Sequence, residues 1–230
     1  MPFAGTQGRL ALPGAAFSHY RRKSQQKATK ERAVDARVDI VVNGNKSVAD
    51  APFPASLGAT LGPEMFAAAF SEISSWPGYQ PTPLRHLTSL AGELGLADIA
   101  YKDEAQRFGL GSFKALGGAY AVLRYLERAL RDAGITGPVT AAELTAGRYR
   151  DIVSTITVTS ATDGNHGRSV AWGARLFGCR AVIFVHADVS EGRCKAIEAY
   201  GAEVNRVPGN YDDSVRHAFE VAAREGWFVV

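Results

Sequence analysis

Cysteine is nearly absent from this chain of 230 residues, where Cys179 and Cys194 are the two thiols. Neither stands at a spacing that a zinc site or a disulfide framework requires, so both read as reduced, partly buried residues of a cytosolic protein. Long apolar runs are missing too. Nothing approaches the roughly 20 consecutive apolar residues needed to span a bilayer, so no membrane role is expected. The chain also lacks HExxH, GxxxxGK[ST] and a GxGxxG after a strand, which leaves metalloprotease, P-loop and dinucleotide readings without support. What is present is 46% hydrophobic and 21% charged, a balance that permits a sizeable core and excludes a wholly disordered chain.

The net charge of +3 is unevenly spread. Residues 1–32 hold seven basic side chains, Arg9, Arg21, Arg22, Lys23, Lys27, Lys30 and Arg32, against Glu31 alone, leaving 19 basic and 22 acidic residues for the rest. The basic character therefore belongs to the start of the chain, and the body gives no argument for a nucleic-acid partner. Residues 1–45 are expected to form a disordered basic tail; an Arg-rich, acid-poor start is also the composition of a transit peptide.

Two segments carry the chemistry. In Gly109-Leu110-Gly111-Ser112-Phe113-Lys114-Ala115-Leu116-Gly117-Gly118, a lysine ends a glycine-rich loop and opens a helix. Ser112 can serve as N-cap, and Leu116, Tyr120, Leu123, Leu126 and Leu130 recur at helical spacing until Gly134. The positive end of a helix disfavours an ammonium by roughly 0.3–1 kcal/mol, which favours the nucleophilic amine. A surface lysine that merely snorkels is the plain alternative.

In the second segment, Ile152–Val158 is β-branched and apolar, as in a strand covered on both faces. It runs into Ser160-Ala161-Thr162-Asp163-Gly164-Asn165-His166-Gly167 and then a helix from Arg168 to Phe177 closed by Gly178. A glycine-broken turn between strand and helix lies where α/β sheets bind ligands, and its N–H groups together with the helix end suit a carboxylate or phosphate. An ordinary loop with Asp163 or Asn165 as a helix cap is the alternative.

Together these segments resemble the fold-type II pyridoxal 5′-phosphate enzymes, the group of serine and threonine dehydratases, threonine synthase and cysteine synthase. Within it they resemble the ammonia-lyases that act on 2,3-diaminopropionate. The likeness also rests on Tyr79-Gln80-Pro81-Thr82-Pro83-Leu84, Tyr200–Val204 and Asn210-Tyr211-Asp212-Asp213, in the family's order over roughly residues 52–230. It implies an α/β fold of the tryptophan synthase β-like type, a three-layer open parallel sheet flanked by helices. It implies pyridoxal 5′-phosphate as cofactor, with Lys114 as the Schiff-base and acid/base residue and Phe113 and Asn165 against the cofactor. The Thr162, Asp163, Gly164 and His166 turn would take the amino acid substrate's carboxylate, His166 through its backbone.

Asp163 departs from the dehydratases, whose turn carries a small neutral residue there. A carboxylate beside the substrate's Cβ would attract a second ammonium, which favours 2,3-diaminopropionate over serine or threonine, and could remove the α-proton from the face opposite Lys114. A serine/threonine dehydratase-like lyase and an inactive remnant are the alternatives.

The rest of the chain orders as follows. A short strand at Val38–Val42 precedes a turn at Asn43–Asn45; helices follow at Pro63–Ser71 and Leu87–Leu94, with a proline-rich loop at Trp76–Pro83 between them. A strand at Ile99–Tyr101 leads to the lysine loop, and Gly134–Gly147 is a surface connection with a short helix. Strand Ala181–Val185, helix Glu191–Tyr200, strand Glu203–Val207, helix Asp212–Glu225 and strand Trp227–Val230 then alternate as in parallel βαβ units. On the family likeness, 46–115 begins the large cofactor domain and 116–230 is a small α/β domain. The strand-like end at Val230 leads to the expectation of a chain truncated before the phosphate-gripping turn, the residue facing the pyridine nitrogen and much of a homodimer interface.

Overall fold

The computed structural model describes residues 54–230; the expected basic tail, the strand at Val38–Val42 and the turn at Asn43–Asn45 lie outside the described residues. The described part opens with helices α1 (Ala55–Leu61) and α2 (Pro63–Ser74), the second with proline at its first position, where the missing N–H costs nothing. Strands β1 (Leu84–His86) and β2 (Ala100–Lys102) then form a two-stranded antiparallel ribbon around helix α3 (Thr88–Glu93), with Arg85 opposite Tyr101. The sequence suggested a strand near residue 100 but not its partner: every residue of the ribbon is exposed, so no burial pattern marks it.

Helix α4 (Ala115–Asp132) carries the lysine loop into the core. Leu123, Leu126 and Leu130 are fully buried as their spacing predicts, each worth roughly 1.5–3 kcal/mol relative to exposure. Ala115, Ala119 and Val122 are equally buried and form a second seam. Helices α5 (Ala141–Thr145) and α6 (Arg150–Val153) follow, the first opened by a reciprocal capping box between Thr140 and Glu143.

The strand expected at Ile152–Val158 is displaced. Ile152 and Val153 lie in α6, and strand β3 runs Thr157–Ala161. Pairing decides this, because β3 registers Thr157 against Arg180, the first residue of β4 (Arg180–His186), and of the residues before it Ile156 alone reaches β4, its carbonyl accepting the Arg180 N–H at 2.9 Å. Local β propensity yields to the position of the partner strand.

Helix α7 (Asn165–Phe177) joins β3 to β4, α8 (Glu191–Glu198) joins β4 to β5 (Glu203–Val207), and α9 (Tyr211–Glu225) leads to β6 (Phe228–Val229). The four strands are parallel in the order β5-β4-β3-β6. Along β4, Ile183 and Val185 join one core with α4 and α7, while Val182 and Phe184 join a second with Ala218 and Val221 of α9. Alternate residues buried on both faces make the three-layer architecture that the family resemblance implied, built from the parallel units read in the sequence pattern. From β3 the chain builds outward through β4 to β5, then returns to the other side of β3 with β6. The carboxyl end of β3 thus borders the point where the winding reverses, the usual ligand crevice of such sheets. Cys194 is buried and Cys179 half-buried, and burial pushes the Cys179 thiol up to about 12, which keeps it protonated.

The α4–α7 contact is close because its residues are small. A Cβ on Gly173 would lie 2.7 Å from the Ala119 Cα, and one on Gly118 would lie 2.5 Å from the Ser169 Oγ. Replacing Gly173 with valine should destabilise the protein by about 1–3 kcal/mol in urea unfolding, since neither helix backbone has room to retreat. Glu127, on the buried side of α4, has its carboxyl pushed above the usual range by burial, with Glu72 reinforcing and Arg124, 2.5 Å away, opposing. A raised folded-state value means that its favourable contribution is full below the unfolded value, near 4.5, and is lost as pH rises through the folded one. Glu127→Gln should therefore raise the melting temperature at pH 7.5 and change it little at pH 4, in paired thermal melts.

Candidate active site

The lysine loop is held from both ends. On its approach, Arg107 is buried and donates to both carboxylate oxygens of Glu104 (2.7 and 3.0 Å), to the Gln80 carbonyl (2.9 Å) and to the Thr82 hydroxyl (2.9 Å). The Arg107 guanidinium holds the Glu104 carboxyl below its usual range, against burial and with help from the Thr82 hydroxyl. This cluster ties the Gln80–Pro83 segment to the 3₁₀ turn at Glu104–Gly109. Phe108 follows with φ of 50°, a left-handed conformation that costs a non-glycine residue roughly 1–3 kcal/mol. It is maintained by ring packing on Trp172 (4.9 Å between centroids), Trp76 (6.0 Å) and Tyr79 (6.1 Å).

At its far end, the loop is fastened to the first turn of α7. Arg168 donates to the Leu110 carbonyl (3.0 Å), and the Ser169 hydroxyl donates to the Lys114 carbonyl (2.7 Å) while accepting the Ala119 N–H (3.2 Å). Ser112 does not occupy the helix-capping position expected for it; Lys114 does, and the Ser112 hydroxyl accepts the Lys114 N–H at 3.1 Å. The lysine backbone is thus fixed on three sides, while its ammonium lies 5.2 Å from the Phe113 ring centroid.

The opposite wall is the turn after β3. Thr162 is buried, and its hydroxyl accepts the N–H groups of both Gly164 and Gly167 at 3.0 Å. Gly164 takes φ of 154° and ψ of −79°, backbone open to glycine alone, and so turns the chain directly into α7. With two N–H groups spent on Thr162, those of Asp163, Asn165 and His166 keep no partner among the described residues. They stand at the positive end of a 13-residue helix. Free N–H groups at such an end are an anion cradle.

Both walls open onto one cavity of about 530 Å³. Lys114, Thr162, Asp163, Gly164, Asn165 and His166 line it, so six of the seven residues singled out in the sequence converge there. Phe113 does not: its ring is exposed and outside the lining. His166 places Nε2 3.1 Å from the Val230 carbonyl, a backbone anchor across to the end of β6. Asp163 has a largely exposed side chain whose Oδ1 is 3.8 Å from His186 Nε2. Arg193 of α8 and Tyr211 of α9 also line the cavity; neither was expected in the site, and Tyr211 figured only within the Asn210–Asp213 motif. The signal that finds them is topological: each follows a parallel strand, β4 or β5, whose carboxyl end shares the crest with β3.

An amine, a carboxylate and unoccupied N–H groups around one cavity suit an anionic ligand that presents an aldehyde. Residues 75–230 match the family model described as pyridoxal-phosphate dependent enzyme. The chain is similar to a diaminopropionate ammonia-lyase of Salmonella typhimurium, 40% identical over 154 residues, which is 67% of this chain and 38% of that protein. Its counterpart in Escherichia coli is 41% identical over 155 residues, 66% of this chain and 37% of the relative. The crystal structure of the Escherichia coli diaminopropionate ammonia lyase in complex with D-serine superposes with a TM-score of 0.64 at 38% identity, over 71% of this chain and 40% of that one. The chain thus spans less than half the length of the curated relatives it matches.

Thr162 organises the turn, so Thr162→Val, which keeps the shape and removes the acceptor, should strand the two N–H groups. A loss of about 1–3 kcal/mol is expected in chemical unfolding, with Thr162→Ser recovering most of it.

Proposed function

This chain belongs to the pyridoxal-phosphate dependent enzyme family, and on that premise we propose that it contributes the lysine and carboxylate of a diaminopropionate ammonia-lyase. The reaction removes the α-proton and the β-amine of 2,3-diaminopropionate and ends by hydrolysis in pyruvate and two molecules of ammonia per substrate. The observation that carries this reading is the convergence of Lys114 and Asp163 on one cavity.

When bound, pyridoxal phosphate supplies the aldehyde carbon for an amine and an electron sink for charge developing at Cα. Lys114 would hold that aldehyde, and the side-chain amide of Asn165 would donate to the ring hydroxyl oxygen. The unpaired N–H groups of Asp163, Asn165 and His166 would take the substrate carboxylate, fixing Cα between the two walls. Asp163 then has two uses for one negative charge. It attracts the β-ammonium that separates 2,3-diaminopropionate from serine, and it can accept the α-proton from the face opposite Lys114. The identity of 40% to a diaminopropionate ammonia-lyase, against 27% to a probable D-serine dehydratase, supports the diamine substrate. The free thiols Cys179 and Cys194 support a reducing compartment such as the cytoplasm, where a homodimer completes the reading.

The decisive assay follows pyruvate from each enantiomer of 2,3-diaminopropionate and from serine, using purified holoenzyme. Lys114→Ala should abolish turnover of all substrates. Asp163→Ala should slow one enantiomer of the diamine by about 10²–10⁴-fold and spare the other. Faster pyruvate formation from serine than from the diamine by the unaltered enzyme would overturn the assignment.

A further inference from the structure

We propose that His186 is a positioning residue that restricts the orientation of the Asp163 carboxylate at the cavity edge, an inference that rests on the role given to Asp163 above. The sheet register sets up the meeting. Ala161 of β3 pairs with Phe184 of β4, so Asp163 and His186, each two residues further on, reach the same height above the sheet edge. There His186 Nε2 lies 3.8 Å from Asp163 Oδ1.

The histidine is the better anchored of the two. It ends β4, pairs with Val207 of β5, and its carbonyl accepts from Arg206 at 3.3 Å. Its side chain is 20% exposed, against 64% for Asp163. The Asp188 N–H donates to His186 Nδ1 at 3.3 Å, so in the neutral ring the proton is carried on Nε2, the nitrogen that faces Asp163. Arg193 and Tyr211 share the cavity, yet among the described residues the titratable side chain within 4 Å of the Asp163 carboxylate is His186. A carboxylate on an exposed turn otherwise samples several rotamers, and an Nε2–H on a rigid strand, which at 3.8 Å attracts Oδ1 electrostatically without forming a hydrogen bond, favours the rotamers that face it. A base that must meet the α-proton in one orientation gains rate from that selection.

The test compares the two diamine enantiomers in holoenzyme carrying His186→Leu, His186→Gln or Asp163→Ala. His186→Leu should lower kcat about tenfold for the same enantiomer that Asp163→Ala impairs, leaving the other unchanged. His186→Gln retains an N–H donor near the Nε2 position and should recover most of that loss. A readout independent of turnover is the long-range ¹⁵N–¹H spectrum of the cofactor-free protein. The neutral His186 ring should appear as the Nε2–H tautomer, and its Nε2 resonance should move in Asp163→Asn. Equal loss for both enantiomers in His186→Leu, or an Nδ1–H tautomer in the unaltered protein, would overturn the inference while leaving Asp163 as base. If Asp163→Ala slows neither enantiomer, the base role itself falls, and the positioning role with it.

Discussion

The hydrogen bonds of the Ser169 hydroxyl are the hinge on which the site depends. One side chain joins the lysine's own carbonyl to the backbone of α4 and fixes both against α7. That is possible only because Gly118, Ala119 and Gly173 let two helices meet nearly backbone to backbone. A larger residue on either helix would separate the loop that bears Lys114 from the element that bears the anion cradle. Packing density and catalytic geometry are therefore the same constraint here. The network of Arg107, Glu104 and Thr82 adds a second brace on the approach to the loop, and because Arg107 is buried, removing Glu104 would leave its charge uncompensated.

The second determinant is the crest of the parallel sheet. Strand β3 delivers the Thr162–His166 turn, β4 delivers His186 and Arg193 beyond it, and β5 delivers Tyr211 at the start of α9. Three strands running the same way place their following residues on one edge, which gathers groups from three separate stretches of the chain. Val230 contributes as well, since its carbonyl accepts from Ser160 (3.0 Å) and lies 3.1 Å from His166 Nε2.

Much of this was legible in the residues. The spacing of Leu123, Leu126 and Leu130 marked the buried face of α4, and the alternation after Asp163 marked the parallel units to within a residue or two, except that α7 starts at Asn165 rather than at Arg168. The lysine loop and the glycine-broken turn were identifiable because each needs residue types that secondary structure alone does not explain. The start of β3 was misplaced because Ile152 and Val153 have strand-like side chains yet no partner strand beside them. The β1–β2 ribbon was invisible for the opposite reason: its residues face solvent, and exposed pairing leaves no apolar pattern. Phe113, expected against the cofactor, stands outside the cavity lining because the loop fixes the backbone of Lys114 and turns the neighbouring ring outward.

By itself the sequence determined which parts are available: a side-chain amine at a helix start, a side-chain carboxylate on a turn that only glycine can close, and strands apolar enough to be buried on both faces. These are local properties, set by propensity, capping and periodicity. Tertiary structure alone decided which of them meet. Whether Lys114 and Asp163 share a cavity, whether the Thr162 hydroxyl spends or spares an N–H, and whether His186 stands beside Asp163 all depend on strand register and helix separation. Those are long-range quantities, fixed by contacts such as that of Ala119 with Ser169 and by the register of Ala161 against Phe184.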